Sequence, residues 1–304
     1  MLAISTSWNY VPGGNLRECL QMIRDAGGKA VELGYRITNA DLDSILPILQ
    51  EFNLGVVSLH NFCPRPFDSS NERHPSNHYR LSSIHEEERQ RAVFWTKNTI
   101  DMAVRVKASV VVIHAGVVDI PDDPCVFLLK AYKEGRGNLE DFEKLRQKVL
   151  AARRAQRGPF VDAVIKSLKE ILPYAAQKNI KIGLETRYYP IEIPNFEEIG
   201  ELLGLFVGQG LFYWHDVGHA EVNGRLGIRP QEDYLKHYHD KIIGWHLHGV
   251  QGIKDHLAPF QGDFDLEKVL PFVKAEHIKV IEASSVATVE QMKAAVEKFK
   301  KMQI

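Results

Sequence analysis

The chain has 304 residues, 44% hydrophobic and 25% charged, the balance of an ordinary globular protein long enough to bury its own core. With 38 basic residues against 39 acidic ones the formal net charge is −1, which excludes a general electrostatic pull toward nucleic acid or anionic membrane. Three scattered cysteines, Cys19, Cys63 and Cys125, make neither a disulfide framework nor a Cys-x-x-Cys metal pair, so reduced thiols are expected. The opening MLAISTSWNYVPGG has no basic segment leading into a long apolar one, and no apolar run approaches the ~20 residues of a membrane span. A soluble, cytoplasmic protein is the expectation.

In chain order, short apolar runs alternate with amphipathic stretches. LAIST (2–6) leads into a helical pattern over 16–26. AVEL (30–33) leads into one over 39–52, with Asn39 as its N-cap. GVVSLH (55–60) is followed, after Ser82 and Ser83, by a long helix with Val93, Ile100, Ala103 and Val104 on one face. VVVIHA (110–115) precedes a helix over 161–178, and IKIGLE (180–185) one over 195–203. LFYWHD (211–216) and IIGWHLH (242–248) precede one over 266–274, and KVIEAS (279–284) one over 289–300. Continuous apolar runs of this length suit strands buried on both faces, and strand–helix alternation means a parallel sheet.

About eight such units close most naturally as a (β/α)₈ TIM barrel, here a single domain over 1–304. An open doubly wound sheet is the alternative, weakened by the absence of a G-x-G-x-x-G turn or a P-loop. Two insertions, 63–83 and 117–157, leave strand C-termini and should form long loops over the barrel mouth. The charged stretch from Arg146 to Arg157 reads as a solvated helix face. Trp95, Trp214 and Trp245 read as core.

Polar residues gather at the C-terminal ends of the expected strands: Glu32, His60, His114, Glu185, then His215 and Asp216 with His219 just beyond, His246 and His248 with His256 in the following loop, and Glu282. In a TIM barrel these ends converge on one face, where active sites are built. Taken singly, a histidine there is most often a satisfied polar cap. So many carboxylates and imidazoles in one place need a shared counter-charge, and a divalent cation supplies it.

The ordered segments SLHNF, VVIHAG, GLETR, YWHDVGHA, GWHLHGV, KDHLAPFQGDFD and VIEAS resemble the xylose-isomerase-like TIM-barrel superfamily, over nearly the whole chain. That group holds sugar and sugar-phosphate isomerases and epimerases and the related endonuclease IV, of AP endonuclease family 2. The resemblance implies one metal held by Glu185, Asp216, His246 and Glu282, with Glu185 and Glu282 as an acid/base pair working through an enediolate. It implies substrate contacts from His219, with His256 and Arg187 as further candidates for substrate or phosphate and Glu32 for a hydroxyl.

The endonuclease IV pattern implies additional metal ligands at His60, His114, His219 and His256, so the metal count is one to three. Two positions depart from it. Asp255 directly precedes His256, where that pattern has Asp-x-His, and Gly249 stands where an acidic residue is usual.

A metal-dependent isomerase or epimerase of a sugar or sugar phosphate is therefore the leading expectation, and a multi-zinc phosphoester hydrolase the alternative. A non-catalytic ligand-binding barrel is the weakest reading, because both glutamates are present. Nucleic acid is the poorer partner: the first insertion offers only Arg65, Arg73 and Arg80 among many neutral residues. Mixed histidine and carboxylate ligands suit manganese, zinc, magnesium or iron alike. The substrate and any oligomer are left open.

Overall fold

The computed structural model describes residues 2–66, 78–121 and 124–304. The middle of the first insertion, with Arg73, lies outside the described residues. In chain order the elements are β1 (Leu2–Ser5), α1 (Leu16–Asp25), β2 (Ala30–Leu33), α2 (Asn39–Glu51), β3 (Gly55–His60) and α3 (Glu86–Arg105). There follow β4 (Val110–Ile113), β5 (Gly116–Val117), α4 (Pro124–Lys133), α5 (Glu140–Gln177), β6 (Lys181–Glu185), β7 (Glu192–Ile193) and α6 (Phe196–Leu205). The last third holds β8 (Leu211–Asp216), α7 (Val217–Arg225), α8 (Gln231–Tyr238), β9 (Ile242–Leu247), β10 (Gly249–Gln251), β11 (Lys254–Leu257), β12 (Ile278–Ile281) and α9 (Val289–Lys301).

Eight of the strands form a closed parallel barrel in the order β1-β12-β9-β8-β6-β4-β3-β2. This is a TIM barrel. The two short antiparallel pairs, β5 with β7 and β10 with β11, sit in the segments after barrel strands. Each barrel strand falls on an expected apolar run, and β2 and β4 are buried at every residue. Helix starts are fixed by side-chain caps. Asn15 accepts from the Glu18 N–H at 3.2 Å, and Asn195 and Glu198 form a reciprocal capping box at 2.9 Å each way. At α2 the cap is Thr38 rather than Asn39: its N–H donates to Asp41 Oδ2 at 2.6 Å, and Asn39 is the first helical residue.

Three expectations change. The second insertion is not a loop: α4 and the first half of α5 occupy most of it, and α5 runs on without interruption through Pro159 to Gln177. The charged stretch within it is not wholly solvated. Arg153 is buried, with its guanidinium on both Glu198 oxygens (2.8 and 2.7 Å) and on the Glu192 carbonyl (2.7 Å). The expected helix over 266–274 is two short 3₁₀ turns, Leu266–Lys268 and Leu270–Phe272, because Pro271 lacks the N–H that a continuing α-helix would need.

One residue closes the barrel interior beneath the mouth. Trp214 on β8 is fully buried with Ala3, Ala30, Val110, Val112 and Val280 from other strands. Its indole lies across Gly244 of the neighbouring β9, where an added Cβ would come within 2.1 Å of Cζ3, and against Gly183 of β6 at 3.1 Å. Glycine at these two positions makes room for the ring. Gly244→Ala is therefore expected to overpack the barrel and destabilise it by about 1–3 kcal/mol. A shifted urea midpoint at unchanged slope checks this, and an unchanged midpoint would remove the role assigned to Gly244.

Candidate metal centre

Glu185 ends β6, Asp216 ends β8, His246 lies in β9 and Glu282 follows β12, so barrel closure brings four separate strands to one point. His246 Nδ1 faces Glu185 Oε1 at 2.9 Å, Glu282 Oε2 at 3.0 Å and Asp216 Oδ2 at 3.6 Å. One ligand atom from each of the four residues lies within 4.8 Å of the others. All four are buried, Glu282 being the most accessible at 4%. Three carboxylates and one imidazole nitrogen, out of water and aimed at one another, fit a divalent cation: without a shared positive charge their mutual repulsion is costly.

The surroundings fix this geometry. The other nitrogen of His246, Nε2, meets Glu32 Oε1 at 3.2 Å, and Glu32 is held in turn by the Ser58 hydroxyl at 2.8 Å. An N–H on Nε2 leaves Nδ1 free as a ligand. Glu32, expected at a substrate hydroxyl, is thus fully buried behind the imidazole and outside the cavity.

Asp216 doubles as the N-cap of α7, its Oδ1 accepting the His219 N–H at 2.7 Å. His248 Nε2 reaches the same oxygen at 3.0 Å, while His248 Nδ1 accepts the backbone N–H of His256 at 3.0 Å. That acceptor role puts the proton of His248 on Nε2, pointing at Asp216. Gly249 is required by close packing. A Cβ there would come within 2.2 Å of the Gln261 carbonyl oxygen, which explains why no acidic side chain stands at this place.

Two further groups share these ligands. His60, His114 and Glu185 form one, with His114 Nε2 at 2.7 Å and His60 Nε2 at 3.3 Å from Glu185 Oε2. Asp216, His219 and His256 form the other. Asp255, one place out of register with the pattern, still reaches this second group, at 3.5 Å from His219 Nε2 and 3.1 Å from His256 Nδ1. Arg187 turns inward, donating to Glu185 Oε2 at 3.1 Å and to Glu192 Oε1 at 2.8 Å. The structure therefore brings together every expected ligand and candidate contact, with Glu32 placed behind His246 and away from the cavity. His215 is apart from them, on the Tyr213 hydroxyl at 2.7 Å.

Burial alone would raise these carboxyls, but the facing imidazoles hold Glu185, Asp216 and Glu282 well below the usual carboxylate range. Burial likewise opposes a charge on His246, yet Glu282, Glu32 and Glu185 hold its pKa well above the ordinary histidine value. His114 differs: burial, followed by Arg187, pushes it down to about 3, so it is neutral and able to act as a ligand.

The site opens into a cavity of about 660 Å³. Glu185, Glu282, His60, His114, His219 and His256 line it, whereas Asp216 and His246 lie beneath its surface. Sequence reasoning assigned no role to Tyr35, Arg36 or Tyr188, which also line it. The signal was present in Tyr35 and Arg36, which directly follow β2 and so belong to a strand end like the residues that were chosen.

A model of the xylose isomerase-like TIM barrel matches residues 20–302. The chain belongs to this family. Among solved structures similar to it, a 3-keto-D-glucoside 4-epimerase from E. coli superposes with a TM-score of 0.69 at 12% identity, covering 99% of this chain and 98% of that one. A D-tagatose 3-epimerase-like protein gives 0.63 at 18% identity (99% and 96%). An AP endonuclease of family 2 from Brucella melitensis gives 0.64 at 13% (99% and 98%). At these identities the likeness is one of fold.

Because the raised His246 pKa keeps that ring protonated in chelated protein at neutral pH, a cation must displace a proton to reach Nδ1. Binding of manganese or zinc is expected to release about one proton and to tighten as pH rises. Calorimetry in buffers of different ionisation enthalpy measures this directly. Affinity independent of pH would contradict the ligand role of His246.

Proposed function

We propose that this protein is a divalent-metal-dependent isomerase or epimerase of a sugar or sugar phosphate. In this reading Glu185 and Glu282 pass a proton through an enediolate. One observation carries it: of the four converging ligands, these two also line the cavity, and they come from β6 and the end of β12, separated around the barrel by β8 and β9. A substrate entering the mouth meets a carboxylate on each side. The epimerase-type names among the proteins of similar fold agree with this reading.

A divalent cation at the four ligands would polarise the substrate carbonyl and its neighbouring hydroxyl and stabilise the negative charge that proton removal creates. The two glutamates differ in readiness. Glu282 Oε1 has the Ser7 hydroxyl at 3.4 Å, a long and weak contact, so this oxygen is available to take the proton from the carbon beside the carbonyl. Glu185 Oε2 is held by His114 and Arg187, and it reaches substrate when one of these gives way. The first glutamate takes the carbon-bound proton as a carboxylate; the second, a carboxylate in the resting site, would take up a solvent proton through the cavity and return it from its own side, either to the same carbon (epimerisation) or to the former carbonyl carbon while the hydroxyl proton passes to the former carbonyl oxygen (isomerisation). His219 and His256 stand at the cavity wall, where they would hold substrate hydroxyls.

A second reading rests on a specific observation. Glu185 and Asp216 are each shared between two metal-capable groups, as a multi-zinc phosphoester hydrolase requires. Against it, Arg187 already supplies a positive charge to Glu185 Oε2 beside His60 and His114, which reduces the need for a cation there. Arg80, one of the few arginines of the first insertion, is also absorbed, by Asp119 at 2.5 Å and Glu88 at 3.1 Å.

Glu185→Gln and Glu282→Gln are each expected to slow exchange of the substrate carbon-bound proton with solvent deuterium by at least about a hundredfold, read by NMR. Full exchange in either variant would sink the acid/base pair. Metal analysis should find about one equivalent. Two or three equivalents, together with chelator-sensitive cleavage of an abasic-site duplex, would establish the hydrolase instead.

A further inference from the structure

The cavity is lined by four acids, Glu185, Glu192, Asp255 and Glu282, and four bases, Arg36, Lys133, Arg187 and Lys254. They are distributed unevenly. The acids are buried or half-buried, and each faces a histidine or Arg187. Arg187 is consumed by Glu185 and Glu192. Among the described residues, Arg36, Lys133 and Lys254 have no carboxylate partner, although on this surface most arginines do find one.

Arg36 is the most telling of the three. Its guanidinium is half-buried and donates through Nη1 to two backbone carbonyls, Ser7 at 3.2 Å and Tyr10 at 3.1 Å. Its Cζ also lies 5.7 Å from the centroid of the Tyr35 ring. Neutral acceptors and a ring fix the orientation of a guanidinium without cancelling its charge. Tyr35 packs edge-on against His60 at 5.4 Å, so the fixed cation stands beside the reacting end of the cavity. Lys254 reaches the wall from β11 and Lys133 from the end of α4, both exposed. One pre-oriented arginine with two exposed lysines suits a dianion: the planar fork fixes it and the lysines add charge.

We propose that Arg36, Lys254 and Lys133 form an anion subsite for the phosphate of a phosphorylated substrate, so that the substrate is a sugar phosphate and not a neutral sugar. This rests on the isomerase reading for the identity of the rest of the ligand. The phosphate anchors one part of the substrate at the Arg36 wall of the cavity while Glu185 and Glu282 act on its carbons. Binding energy at a non-reacting group then serves to position the reacting one.

The test compares binding of D-fructose 6-phosphate, D-fructose and inorganic phosphate by calorimetry, on metal-loaded and on EDTA-treated protein. The phosphorylated ketose is expected to bind metal-loaded protein at least about tenfold more tightly than the neutral one. That margin should shrink when NaCl is raised from about 0.05 to about 0.5 M. Lys254→Met and Lys133→Met change exposed side chains and should each reduce the margin. Arg36→Met should reduce it most, and Arg36→Lys, which retains a donor for the two carbonyls, controls for folding.

Inorganic phosphate should still bind after EDTA treatment, more weakly in Arg36→Met than in the unaltered protein. Equal binding of the two ketoses, an unchanged margin in the variants, or phosphate binding abolished by EDTA would overturn the subsite. Solvent deuterium exchange keeps the two proposals apart. A preserved phosphate margin without exchange into any ketose would sink the isomerase reading alone. Exchange into both ketoses with equal binding would sink the subsite alone.

Discussion

His246 is held at both ring nitrogens, and the geometry of the mouth depends on that. Glu32 fixes Nε2 from behind, so Nδ1 faces three carboxylates. This one nitrogen lies within 3.6 Å of Glu185, Asp216 and Glu282, which would otherwise repel one another. The protonated imidazole offsets the charge of this cluster, and it would serve as a ligand on the proposed reading. The same oxygens therefore serve two charge states of the site with little rearrangement.

A second layer of histidines plays a supporting part. His248 keeps Asp216 in place by donating to it, and its own tautomer is set by a backbone N–H two strands further along the chain, at His256. Asp216 also caps α7, so the start of that helix and the position of a metal ligand are one structural decision. Neutral and charged imidazoles coexist within a few ångströms because their neighbours differ. Burial, reinforced by Arg187, depresses His114, while carboxylates surround His246 and outweigh its burial.

Much of this was legible in the sequence. The eight strands were readable because a parallel barrel buries both faces of each strand, and apolar runs of four to six residues report that burial directly. The convergence of Glu185, Asp216, His246 and Glu282 was readable because so many polar residues closing apolar runs at one face need a shared partner, although each alone has a bland reading. Other features depended on tertiary contacts that leave no local trace. Glu32 also closes a run, but which side of His246 it occupies is decided by barrel closure and by Ser58. Arg153 belongs to a stretch whose charge density reads as solvent-facing, yet Glu198 from α6 draws it inward. The short helices α7 and α8 span nine and eight residues, too few for a clear period between the polar strand ends. Pro271 interrupts the stretch over 266–274, whereas Pro47, Pro159 and Pro173 are carried inside α2 and α5, so a proline alone does not mark a break in this sequence.

Trp214 gives the centre a sealed floor. Its ring stacks edge-on beneath His246 at 5.1 Å and fills the barrel bore across Gly183 and Gly244. The chamber is a dead end, and the ligands lie at its closed end with the substrate space above them. On the proposed reading, an ion at the closed end would have to enter before a sugar and would be shut in behind it. Such a chamber would suit a resident ion better than one exchanged at each turnover, and the indole is what closes its floor.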